Sequence, residues 1–87
     1  MADLTALIRL HKHELDEKRR ALGDLYAAAA LLERERKALE RSFAQEKDSV
    51  AASGEIPYTF ARYVEKVREQ FKNFDERTKV LEVQIAA

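Results

Sequence analysis

The sequence predicts an all-α fold: a long two-helix antiparallel coiled-coil hairpin that turns at about 53–57 and self-associates. Three observations predict it. First, the 87 residues hold only two glycines and one proline, and Gly54 and Pro57 fall together in Ala52-Ser-Gly-Glu-Ile-Pro-Tyr58. A glycine just past one helix and a proline at the next helix's first turn form a stop-start signal. Second, apolar residues on both sides of that stretch recur at alternating spacings of four and three, the period of a coiled-coil stripe. Third, charged residues make up 37% and hydrophobic residues 46%. That mixture suits exposed helices with one apolar face and argues against a disordered chain. The reading is a single hairpin over 1–87, with helix 3–52, turn 53–57 and helix 58–87.

The first helix carries the longer stripe. Leu4, Ile8, His11, Leu15, Lys18, Leu22, Leu25, Ala29, Leu32, Arg36, Leu39, Phe43, Glu46 and Val50 hold the 4-3 register, and ten of these fourteen are apolar. Asp3 is the expected N-cap. About 50 residues in one helix give a rod of about 75 Å. His11, Lys18, Arg36 and Glu46 are costly in a dry seam unless their polar ends reach water, and the stems of Lys18 and Arg36 are long enough to do so. Gly23 lowers helix propensity by about 1 kcal/mol relative to alanine. With the alanines after it, Gly23 suits close approach of a neighbouring helix; the alternative is a mild flexible point in the rod. Glu33-Arg-Glu-Arg-Lys37 and Glu40-Arg41 read as a solvated face with i,i+4 pairs.

After the turn the register returns in Phe60, Val64, Val67, Phe71, Phe74, Thr78, Leu81 and Ile85. Tyr63, Val80 and Val83 lie off the stripe and widen it. Either Pro57 or Thr59 starts this helix of about 30 residues, roughly 45 Å long. Folding the stripes together pairs Val50 with Phe60, Phe43 with Val67, Leu39 with Phe71, Leu32 with Thr78, Ala29 with Leu81 and Leu25 with Ile85. The return helix then stops opposite Leu22–Leu25. Leu4–Leu22 is left without an intramolecular partner, although Leu4, Leu7, Ile8, Leu10, Leu15 and Leu22 give it a broad apolar face. Such a stripe needs a second copy, a larger partner or a missing segment. Leu4, Leu7, Ile8 and Leu15 are the candidate partner-binding residues there. Tyr58 and Tyr63, beside the turn, either plug the hairpin end or form an aromatic contact site.

Chemistry is not indicated. His11 and His13 are two apart and fall on different helix faces, whereas a helical metal pair wants i,i+4. The sequence has no Gly-rich phosphate loop, no nucleophile elbow and no cysteine. The carboxylates lie on solvated faces without a pocket to perturb them. A non-enzyme without cofactor or metal is expected. Sixteen basic and sixteen acidic residues cancel, so no general attraction draws the chain to nucleic acid, and Lys18-Arg-Arg20 is offset by Asp16, Glu17 and Asp24. No apolar run reaches the ~20 residues of a membrane span, and the N-terminus does not read as a signal peptide. A cytoplasmic protein without direct membrane insertion is expected.

The residues Leu4-Thr-Ala-Leu-Ile-Arg-Leu-His-Lys-His-Glu-Leu-Asp-Glu-Lys-Arg-Arg-Ala-Leu22 resemble the N-terminal helix of the flagellar FliJ family and its YscO relatives. Ser53-Gly54 followed by Ile56-Pro-Tyr-Thr-Phe-Ala-Arg-Tyr-Val64 is similar to that family's turn and return helix. The family's return helix matches the first in length, so here it would be cut near its middle. The resemblance implies an antiparallel coiled-coil stalk of the flagellar type III export apparatus, cytoplasmic and peripheral at the inner membrane. It implies contact with the export ATPase through the helix-end region, including Leu4, Leu7 and Ile8. It further implies contact with the export gate through the hairpin region, at Tyr63, Val67 and Phe74, and binding of export chaperones. Alternatives outside that family are a coiled-coil spacer or oligomerisation module, and a regulatory hairpin that binds a partner helix.

Overall fold

A computed structural model describes residues 3–87, which form two helices, α1 (Asp3–Ser53) and α2 (Phe60–Ala86). The molecule is a rod of 82 × 17 × 15 Å. α1 is continuous over 51 residues and passes through Gly23 without a break. α2 spans 27 residues. The helices run antiparallel: Phe43 packs on Tyr63 near the turn, Arg36 pairs with Asp75 further out, and Leu32 and Ala28 share a groove with Val80 and Leu81 near the open end.

The reversal is built from the residues that signalled it. Gly54 adopts φ 73°, the left-handed conformation that ends a helix and that side chains disfavour. Its N–H donates to Ala51 O at 3.4 Å. The Ser53 hydroxyl lies 2.8 Å from Val50 O and 2.9 Å from Glu55 O, and accepts the Glu55 N–H at 3.3 Å. The single hydroxyl proton serves one of these two carbonyls at a time, on either side of the helix end where orphan acceptors collect. Pro57 O then takes the Phe60 N–H at 3.0 Å, and Thr59 O takes the Tyr63 N–H at 3.1 Å. The return helix therefore begins at Phe60, two residues later than the reading that started it at 58. Pro57 forms a separate tight turn that leads into the helix. Thr59 holds the N-cap position without a side-chain cap bond.

The seam follows the 4-3 register closely from Leu25 to Phe43. Leu25, Ala29, Arg36, Leu39, Phe43 and Val50 of α1 are half-buried and Leu32 is buried. On α2, Phe60, Val64, Phe71, Phe74, Thr78, Leu81 and Ile85 are half-buried and Val67 is buried. Glu46 departs from the pattern, because it is exposed in the last turns of α1, where its carboxylate stays in water. Ala28 and Tyr63 are half-buried additions on the flank of the stripe. Tyr63 sits between Phe43 and Phe60, with ring centroids 6.1 Å from each. An aromatic cluster therefore closes the turn end, and Tyr63 belongs to it. Among the described residues only Leu32, at 6% exposure, and Val67, at 2%, are fully enclosed. A single row of interdigitating side chains shelters few of its members completely, which is the weakness of a small fold with no second layer.

Arg36 shows how a charge is accommodated in that row. Its guanidinium lies 5.3 Å from the Phe71 ring centroid, pairs with Asp75 across the seam, and reaches Glu40 Oε1 at 3.4 Å. The hydrogen bond to Asp75, aided by Glu40, raises the Arg36 pKa above the ordinary arginine value. Stability linked to a raised basic pKa is present at every pH below the ordinary value and is lost only above it. For an arginine that window lies far into alkali, so the contact carries no titration of Arg36 in the physiological range.

Candidate docking surface

α2 ends opposite Leu25, and the first 22 described residues of α1, 3–24, continue alone. At 1.5 Å per residue the free arm is about 33 Å long. Its stripe remains in register with the seam but faces water: Leu4 is 66% exposed, Ile8 60% and Leu15 47%. Leu7, Leu10 and Leu22 are also exposed. These residues combine aliphatic area with a regular helical surface, which is what a partner helix packs against. Folds seldom leave a stripe of this extent in water. Of the sequence-predicted residues of the arm, Leu4, Ile8 and Leu15 lie on it and Leu7 lies on its flank.

Both histidines of the arm lie beside carboxylates of the same helix. His11 Nδ1 lies 3.7 Å from Glu14, and His13 Nε2 lies 3.2 Å from Glu17. The two histidines engage different carboxylates. Among the described residues no three His, Asp or Glu side chains converge in a way that could hold a metal ion. The Cβ that an alanine at position 23 would carry meets nothing within 4 Å. Close approach of a helix at Gly23 therefore has no counterpart within the hairpin.

The residues predicted around the turn are divided by the structure. Tyr58 is fully exposed and Ile56 is 79% exposed, so together they present an apolar tip. Tyr63 and Phe74 are half-buried, Phe74 with Arg77 5.9 Å over its ring. Val67 is the most enclosed side chain of the seam. A partner cannot reach Val67 without parting the helices, so its place in the predicted contact site is corrected to a core position. Its alternation with Val64 and Phe71 in the register is the signal for that role.

A further apolar feature was not singled out from sequence. Ala28, Leu31, Leu32, Val80 and Leu81 line a groove of about 420 Å³ rimmed by Asn73, Glu76 and Arg77. It lies on the flank of the seam near the open end of the hairpin. Leu31 and Val80 fall outside the 4-3 positions and enter it only because the two helices bring their flanks together.

The fold and this surface define a class: a helical hairpin with unequal arms, half of whose long helix has a seam and no neighbour. Comparison with protein-family models, with curated proteins and with solved structures finds no match to this chain. Among the described residues no helix is long and apolar enough to cross a membrane.

Proposed function

We propose that this chain is a non-enzymatic docking stalk, in which the hairpin is the rigid shaft and the free arm of α1 takes a partner helix. One observation carries this reading: the heptad stripe of Leu4, Ile8, Leu15 and Leu22 continues past the end of α2 in unbroken register and stays in water. Apolar residues that the hairpin leaves exposed contribute little to its stability and much to association. Replacement of Leu4, Leu7, Ile8 and Leu15 together by aspartate should leave the hairpin's melting temperature unchanged in dilute solution. A marked fall would assign the stripe to the fold and overturn the docking role.

Within this class, a flagellar export stalk is the more specific proposal. Its support is the resemblance of Leu4–Leu22 and Ile56–Val64 to that family, together with an antiparallel hairpin of the shape the family uses. On this reading the free arm docks on the export ATPase, and the exposed tip at Ile56 and Tyr58 faces the export gate at the inner membrane, with export chaperones as further partners. Purified export ATPase should capture the wild-type chain and should fail to capture Leu7→Asp with helicity retained. Equal capture of both chains would remove the arm from the contact, and no capture of either would remove the export assignment.

A further inference from the structure

We infer that, in the isolated protein, the occupant of the free arm is the free arm of a second copy, laid antiparallel with Leu4 opposite Leu22 of that copy. This rests on the docking reading and specifies its partner and register. The seam positions of the arm are Leu4, Ile8, His11, Leu15, Lys18 and Leu22, with gaps of four, three, four, three and four. That series reads the same in both directions. Reversing a second copy about position 13 therefore sets every seam position against a seam position. Leu4 faces Leu22, Ile8 faces Lys18, and His11 faces Leu15, each pair occurring twice about a two-fold axis.

The polar seam residues choose between orientations. In a parallel pair at the same register, Lys18 would face Lys18 and His11 would face His11. Two lysine charges would then meet inside the seam, where water screens them least. In the antiparallel pair each of these residues lies against an aliphatic side chain, and its polar end can reach the edge. Glu14 and Lys12 do face their own symmetry mates beside the axis, but both are exposed, and solvent screens them. The arm carries five basic residues (Arg9, Lys12, Lys18, Arg19, Arg20) and five acidic ones (Asp3, Glu14, Asp16, Glu17, Asp24). A second copy therefore meets no net repulsion, and an oppositely charged partner has no advantage.

The arrangement is also continuous with the intramolecular seam. Within the chain, Leu25 on α1 and Ile85 on α2 are the outermost half-buried stripe residues. The next layer would be Leu4 of the second copy on Leu22, so one copy's α1 takes up the stripe where α2 leaves it. Two arms each about 33 Å long close on each other. Two rods of 82 Å joined in this way make a particle about 130 Å long, whereas two hairpins lying side by side would stay near the length of one.

The test uses the full chain, whose lack of cysteine allows single spin labels at Thr5→Cys or Lys12→Cys, both exposed and outside the stripe. In the antiparallel dimer, labels at 12 lie side by side next to the axis, and labels at 5 stand about 24 Å apart along it. A short 12–12 distance with a long 5–5 distance supports the inference. Short distances at both sites would mean a parallel pair, which overturns the register but leaves the arm a docking surface. Absence of any intermolecular distance, with sedimentation as a monomer up to millimolar concentration, would overturn the second copy as occupant. The docking reading would then be decided by the melting of the aspartate variant. Leu15→Asp, which faces His11 at two symmetric places, should abolish both distances with helicity retained; unchanged distances would overturn the proposed seam.

Discussion

The two halves of α1 make the most instructive comparison in this molecule. From Leu25 to Phe43, stripe residues meet α2 and are buried or half-buried; from Leu4 to Leu22, stripe residues in the same register are all exposed. The local sequence rules are the same in both halves. Leucine and isoleucine alternate with charged residues at heptad spacing, and the helix is continuous throughout. What differs is the presence of a second helix within reach. Periodicity thus encodes a face, and burial of that face depends on whether a second helix lies beside it.

Substitutions can break or sharpen that contrast. The largest effect is expected from Leu32→Ala, which removes a 6% exposed side chain from the paired half. Buried leucine-to-alanine changes cost about 2–5 kcal/mol, and the thin seam should place this one near 2 by collapsing into part of the space. Leu22→Ala, in the open half at 39% exposure, should cost the hairpin less than about 0.5 kcal/mol. Urea unfolding of both variants in dilute solution checks the difference, and equal losses would erase the distinction between the halves.

Gly54→Ala comes next. An alanine at φ 73° is strained by about 1 kcal/mol or slightly more. The register of the paired half starts at this turn, so the loss should appear as a lower unfolding midpoint with an unchanged slope. Gly23→Ala should act in the opposite sense by up to about 1 kcal/mol, since helix propensity rises and the new methyl meets nothing within 4 Å. The gain should be visible as added far-UV helicity of the arm; a loss would reveal a helix packed against Gly23. The smallest effect is expected from Asp75→Ala. The pair with Arg36 is partly exposed, so its removal should lower the melting temperature only slightly and less at high salt, as thermal melts at two ionic strengths would register.

Much of this was legible beforehand, and particular residues show why. Gly54 located the reversal because few other residues suit a left-handed cap, and Pro57 because its fixed φ and missing N–H suit a turn and not a helix interior. The 4-3 register identified Leu32, Val67, Phe71 and Leu81 as seam residues, since one helix face must carry them. Tyr63 and Val80 were read as flank residues that widen the stripe, but Ala28 and Leu31 escaped, because flank positions enter a seam only when the two helices meet at a definite offset. The groove of Leu31 and Val80 escaped for the same reason: it exists only between elements. Glu46 obeyed the spacing and still stayed in water, because a carboxylate near a helix end loses more by desolvation than it gains by contact. Val67 was placed correctly in the stripe and wrongly in a contact site, a conflict that burial resolves.

The seam is one layer deep, with Leu32 and Val67 as its only enclosed members among the described residues. Its mechanics follow from that. Tension that lifts the free end of α2 away from α1 loads one layer at a time, beginning at Ile85, as teeth part in a zip. Resistance should rise where Leu32 is exposed to water and again where Val67 is. The aromatic group of Phe43, Tyr63 and Phe60 then holds the final stop. Tension along the rod axis instead loads every layer together, so the same hairpin is soft when peeled and stiff when pulled lengthwise.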